Sequence, residues 1–411
     1  MKRVMVIFLM LVFFLCMYQF AFAKGEKKVE EAAIKVGTLM AYTGPLKEYG
    51  PNIKNGAVLA ANQLGEAGLI VNLTHEDSET NPIAGSNAAK KLVEIDRVVA
   101  IIGALSSGVT LAAAESVTIP NEVILISPAS TNPLMSDLPA DRGKDFLFRT
   151  CPSDALQGVV AGRKAAEMIK TASVIYVNNA YGQGLMEVFK KSFEQLGGKL
   201  LAAVPIDEVV KESYTSELRR ALAGDPEALA AYSYPEHARV YLKEAIEFFN
   251  YKSFFYCDGT KSMDIIQTLG ADIVEGQMGT APGALGGKAL ELFNAAFKEE
   301  FGTLPPLPFI TNAYDGMAVV GLAAYAAIQK GLEPTAKNIR DNMRYVATPP
   351  GEVILPGEFK KAFELLKQGK DINFEGAAGS VDFDQNGDVI TPIEIFRYTK
   401  GSIETIELKQ P

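Results

Sequence analysis

Histidine is nearly missing from this chain of 411 residues: His75 and His237 are the only two, and neither stands in an HExxH motif or a His/Cys cluster, which argues against a metal hydrolase. Catalytic signatures are scarce as well. There is no GxSxG nucleophile elbow and no GxxxxGK(S/T) phosphate loop; the nearest fragments, Gly103-Ala-Leu-Ser-Ser-Gly108 and Gly259-Thr-Lys-Ser262, match neither. Cysteine is limited to three residues, of which Cys16 lies in the amino-terminal apolar run. Cys151 and Cys257 are too few for a disulfide framework and too far apart for a CxxC knuckle, so they read as independent buried thiols, with a disulfide between them as the alternative. Basic charge is outweighed, with 40 Lys+Arg against 49 Asp+Glu and a net charge of −9, and a surface of that sign disfavours nucleic acid.

What is present is ordinary globular composition, 48% hydrophobic and 22% charged, which argues against disordered, collagenous and coiled-coil classes. The length suits two or three compact units, each with its own core. Lys2 and Arg3 precede an unbroken apolar run from Val4 to Tyr18, closed by the small-residue pattern Ala21-Phe22-Ala23. Residues 1–23 therefore read as a secretory signal peptide cleaved near Ala23, and 24–32 as a solvated lead. An uncleaved anchor is the alternative, for which the run is short. Leu15 is not the small residue that lipoprotein processing at Cys16 prefers.

Beyond the lead, short apolar runs alternate with amphipathic stretches. Ile34–Met40, Leu69–Thr74, Val98–Ile102 and Val123–Ile126 read as strands, separated by helices over Asn52–Leu64, Ile83–Ile95 and Val109–Val117. A second such series follows Pro152, with strands Ser173–Val177, Leu200–Pro205, Leu229–Tyr232 and Phe254–Cys257. Two doubly wound α/β sheets imply two lobes and a cleft, with ligands outside the carboxyl ends of the strands. From Lys288 the pattern is helical, then β over Ser380–Asp384, Ile393–Tyr398 and Ser402–Glu407; periodicity alone does not place these. The Pro-rich stretches Thr303–Pro308 and Thr348–Pro356 read as loops.

Asp382-Phe-Asp-Gln-Asn-Gly-Asp388 imitates the start of an EF-hand calcium loop, but Ile393 stands where a bidentate Glu is needed, and Asn386-Gly387 between β runs favours a hairpin. More telling are two strand-to-helix junctions, Leu105-Ser106-Ser107-Gly108 and Ser127-Pro128-Ala129-Ser130-Thr131. Ser107 is positioned to cap the next helix, whose first N–H groups suit a carboxylate; caps with no further role are the plainer alternative. In the second series Tyr181, Tyr234 and Asp258 follow strands and face the cleft. Together these groups suit a zwitterion, with donors for its carboxylate, an acid for its ammonium and aromatic walls for its side chain.

In the order and spacing of these junctions, and of Thr43-Gly-Pro, Tyr49-Gly50, Asn81-Pro82, Phe148-Arg149-Thr150, Tyr181-Gly-Gln-Gly184, Tyr314-Asp-Gly316 and Gly376 through Asp388, residues 33–411 resemble a type I periplasmic solute-binding protein of the branched-chain amino-acid (Leu/Ile/Val) class, the receptor component of an ABC importer. The resemblance implies two Rossmann-like lobes joined by three crossover segments, near Phe148–Thr150, Gly276–Ala281 and Phe383–Asp388, with a cleft between them. Lobe 1 would comprise 33–149 plus 280–385, and lobe 2 would comprise 150–279 plus 386–411. It implies that Ser107 and Thr131 hold the ligand carboxylate. The Ala129 carbonyl, Thr131 and Asp258 would hold its ammonium, the last in place of the family's Glu; Ser130, Tyr49, Tyr181 and Tyr234 would line the pocket. It further implies a monomeric, non-enzymatic periplasmic protein without a cofactor, which captures an aliphatic or hydrophobic amino acid by hinge closure and delivers it to an inner-membrane permease. An amide, urea-like or aromatic-acid ligand on the same fold is the alternative, ahead of an α/β enzyme or a sensory receptor module.

Overall fold

The computed structural model describes residues 32–410, so the expected signal peptide, Cys16 and nearly all of the lead lie outside the described residues. Ala32, placed in the lead by the sequence, already opens a strand. The first sheet has the order β2-β1-β3-β4-β5, from β1 (Ala32–Met40), β2 (Leu69–Asp77), β3 (Ala100–Gly103), β4 (Ile124–Ser127) and β5 (Leu147–Arg149). Strands β3 and β4 pair in parallel and are buried at every residue, as expected for strands covered on both faces.

The second sheet begins with β6 (Thr171–Val177), β7 (Lys199–Ile206), β8 (Ala228–Tyr232), β9 (Phe254–Tyr256) and β10 (Met278–Pro282). A separate pair, β11 (Glu352–Ile354) and β12 (Ile372–Phe374), intervenes in sequence. Strands β13 (Ile393–Thr399) and β14 (Ser402–Lys409) then complete the second sheet, in the order β14-β13-β10-β9-β8-β6-β7, with β13 antiparallel to β10. The helix Asp154–Met168 starts where Ser153 accepts the Ala155 N–H, and it lays Val160 against Ile393 and Ile395. The helix Ile310–Gln329 is apolar almost all round and is correspondingly buried, against the helix Gly50–Ala67 and the first sheet. The molecule is thus α/β with two lobes, each assembled from distant stretches of chain.

Several sequence expectations change. Met278–Pro282, in the segment expected as a crossover, forms an inner strand of the second sheet. Ser380–Asp384 is not a strand. Only Ser380 bridges, to Glu375, and the Asp384 carboxylate accepts the Asn386 and Asp388 N–H groups at 2.8 and 3.0 Å, which closes a turn without flanking strands and removes the expected hairpin. The Pro-rich stretch Thr348–Pro356 contains β11. Cys151 and Cys257 are free and buried.

The turn at 384–388 is anchored to the end of β5. Arg149, fully buried at the end of β5, donates Nε and Nη2 to the Asp388 carboxylate at 2.7 and 2.8 Å, Nη2 to Ser136 Oγ at 2.8 Å, and Nη1 to the Asn132 carbonyl at 3.0 Å. Gly387, at φ 74°, accepts the Arg149 N–H, and a Cβ there would lie 2.6 Å from the Leu147 carbonyl oxygen. The buried Asp315 carboxylate fixes the same passage upstream by accepting the Ala377 and Ala378 N–H groups.

Candidate functional site

The carboxyl ends of β3 and β4 face those of β8 and β9 across the lobe boundary. Between them lies a cavity of about 20 Å³, room for about one water, lined by Leu46, Tyr49, Leu105, Ala129, Tyr181, Tyr234, Asp258, Gly259 and Phe309. Five of the eight expected residues therefore meet there: Tyr49, Ala129, Tyr181, Tyr234 and Asp258. Ser107, Ser130 and Thr131 are buried beside it with their hydroxyls engaged. Ser107 does not cap its helix. It is the first helical residue, and its Oγ accepts the Asn132 N–H at 3.3 Å. The Ser130 hydroxyl bonds Thr110 Oγ1 at 2.7 Å inside the first lobe. Thr131 Oγ1 reaches across to Asp154 Oδ2 at 2.8 Å.

Contacts between lobes surround the cavity. Tyr49 donates its hydroxyl to the carbonyls of Asp258 and Lys261, at 2.8 and 3.1 Å, while Ser106 Oγ meets Tyr234 OH at 3.0 Å. Glu48 accepts from the Ser262 hydroxyl and the Met263 N–H; burial there pushes its carboxyl up to about 7, with the charge of Asp264 adding to the effect. The Tyr181 and Tyr234 rings stack with centroids 5.5 Å apart. Gly259 sits close against Tyr181, since a Cβ there would lie 2.8 Å from its hydroxyl and 2.3 Å from the Ser233 carbonyl oxygen. Phe309 lines the cavity from a left-handed conformation, φ 72°, a strain that side chains of its size rarely carry outside functional sites.

The floor is acidic. Asp258 is 3% exposed, and its Oδ1 accepts from Gln157 Nε2 at 2.7 Å and from Tyr181 OH at 2.8 Å. Asp154 is fully buried, with Oδ1 unpartnered, as is Gln157 Oε1. Burial raises both carboxyls above the usual aspartate range, and for Asp154 the neighbouring charge of Asp258 adds to it. Sequence reasoning missed Asp154 and Gln157, as well as Leu46, Leu105 and Phe309. Asp154 follows Ser153 at a helix start, where an acid reads as an ordinary first-turn charge; the signal available was a Gln one turn later on the face that must be buried.

At the mouth of the boundary a groove of about 740 Å³ carries Glu79, Asp207, Glu208 and Glu236 against Lys47 and Lys211, and the Lys47–Glu236 ion pair spans it at 3.1 Å. Among the described residues no helix is long and apolar enough to cross a membrane, and no cluster of three or more His, Cys, Asp or Glu is placed to hold a metal.

Comparison with known proteins agrees with this architecture. The Leu/Ile/Val-binding protein homolog 1 of Brucella abortus is 29% identical over 381 residues, 90% of this chain and 92% of that protein. Among solved structures, a leucine-binding protein of Thermotoga maritima superposes with a TM-score of 0.75 at 23% identity, covering 92% of this chain and 99% of that one. An ABC transporter solute-binding protein of R. palustris in complex with benzoate does so with a TM-score of 0.75 at 16% identity, covering 92% and 97%. The family model for periplasmic binding proteins matches residues 33–402. The chain belongs to the periplasmic binding protein family, as a type I member related to the Leu/Ile/Val-binding proteins.

Proposed function

We propose that this protein is the extracytoplasmic receptor of an ABC importer and captures an amino acid with an aliphatic or other hydrophobic side chain. The observation that carries the choice of ligand is the buried pair Asp154 and Asp258, next to a cavity otherwise walled by Leu46, Leu105, Phe309 and tyrosines. Buried carboxylates call for a cation, and among the described residues no lysine, arginine or histidine is hydrogen-bonded to either one. An ammonium group meets that need. A plain aromatic acid such as benzoate would bring a further negative charge to the same floor, which weighs against the aromatic-acid reading.

In this reading Ser107, whose O–H is still free to donate, and Thr131, released from Asp154, receive the carboxylate, while the Ala129 carbonyl and Thr131 join Asp258 around the ammonium. Ser130 supports that loop from behind, and Tyr49, Tyr181 and Tyr234 wall the side chain. The cavity is too small for an amino acid as it stands, which supports admission by separation of the lobes and capture by closure onto Tyr49, Glu48 and Ser106. The moving bodies are 33–149 with 283–385, and 150–282 with 386–411. The protein would act as a monomer in the periplasm, its closed form recognised by an inner-membrane permease, with no reaction performed on the ligand. A thermal-shift panel of L-amino acids, their amides and benzoates tests this: stabilisation by aliphatic or hydrophobic amino acids and not by benzoates is expected, and the reverse pattern overturns it.

A further inference from the structure

The acid pair has a consequence for how the ligand is exchanged, and it rests on the amino-acid reading above. Both carboxyls belong to the second lobe. Asp154 opens the helix Asp154–Met168, Asp258 follows β9, and Gln157, one helical turn after Asp154, ties to Asp258 Oδ1 at 2.7 Å. Separation of the lobes therefore leaves the two acids together.

The other charged and titratable groups around the pair cannot neutralise it. Arg149 is the cation whose charge reaches Asp154, but its N–H groups are taken by Asp388, Ser136 and loop carbonyls. Tyr49 from the first lobe and Tyr181, Tyr232 and Cys257 from the second are held protonated by burial, as is Cys151, and so supply no positive charge. Burial raises both carboxyls and the charge of Asp258 adds to that at Asp154, so the pair resists carrying two negative charges and titrates as a unit.

We propose that the Asp154–Asp258 pair holds one proton in the ligand-free protein and releases it to solvent when the ammonium group of the amino acid takes its place. Capture is then an exchange of one monovalent cation for another. The unpartnered Asp154 Oδ1 is the additional acceptor that the ammonium would find. Because protons leave on binding, affinity rises with pH until the free pair is fully ionised, by about tenfold per pH unit at most for one proton.

Carboxyl-carbon NMR of the full chain, ligand-free, from pH 4 to 9 gives the first test. One aspartate that Asp154→Asn removes is expected to titrate well above its ordinary range; ordinary titration of every aspartate overturns the proposal. Calorimetry with L-leucine in phosphate and in Tris at pH 6.5 gives the second, comparing the wild type with Asp154→Asn so that proton uptake at Glu48 cancels. More protons released by the wild type is the expected result, and equal counts overturn it. If L-leucine binds neither protein, the aliphatic assignment fails instead, while the NMR titration still decides whether the pair holds a proton.

Discussion

The two lobes meet at one cavity but bring opposite kinds of chemistry to it. The first lobe contributes hydroxyls and backbone groups that already have partners: Ser107 with Asn132, Ser130 with Thr110, and the carbonyls of the same loop with Arg149. The second lobe contributes acids and amide oxygens, of which Asp154 Oδ1 and Gln157 Oε1 are unpartnered. A loop whose polar groups are satisfied keeps its shape whether or not a ligand is bound, whereas buried acids without a cation store an electrostatic cost that a ligand can relieve. The difference suggests a division of labour, with geometry set by the first lobe and charge selection by the second.

The sharpest way to break this comparison is to loosen the first lobe's loop. Arg149→Met leaves Asp388, Ser136 and the Asn132 carbonyl without their donor at a buried site, and a loss of about 3–5 kcal/mol in unfolding free energy is expected by urea titration. A loss under about 1 kcal/mol would show that the loop does not depend on that grip. Next comes the second lobe's charge. Asp258→Ala should weaken amino-acid binding on the order of 100-fold by calorimetry while leaving stability nearly unchanged, since it removes an ammonium partner and one of two repelling acids; undiminished affinity would return the ammonium contact to Asp154 alone.

The smallest effect concerns Glu48, the first lobe's own acid. Its carboxyl lies at about 7 in the closed contact against an ordinary value of 4.5, so closure takes up a proton there. The contact therefore contributes fully below about 4.5 and is lost as pH rises through about 7. Glu48→Gln, which keeps a neutral side chain at all pH values, should bind as the wild type does at pH 4 and increasingly more tightly than it as pH rises through 7, as read by calorimetry. Parallel pH profiles for the two proteins would remove Glu48 from the closure equilibrium.

Much of the fold was legible because hydrophobic period is a local property. Strands such as Ile124–Ser127 and helices such as Gly50–Ala67 follow from their own residues. What escaped depends on distant partners. β11 is three residues long and exists only against β12, and Ser380–Asp384 has strand-like residues but commits Asp382 to the Ser380 hydroxyl and Asp384 to the N–H groups of the following turn. Site residues after strands, such as Asp258, stood out by position; Asp154 and Gln157 did not, since a helix start excuses an acid and only the tertiary fold turns that start toward the floor of the cavity.

The interleaving of the two halves also sets a timetable. The helix Ile310–Gln329, which covers the first sheet, and β13, which lies inside the second between β10 and β14, both come late in the chain. A polypeptide leaving the ribosome can therefore finish neither half until most of its length has emerged, and its apolar faces wait uncovered in the meantime. Premature release before Ile393 would strand Val160 without its neighbours Ile393 and Ile395, producing a fragment for chaperones and proteases to handle and no half-working protein.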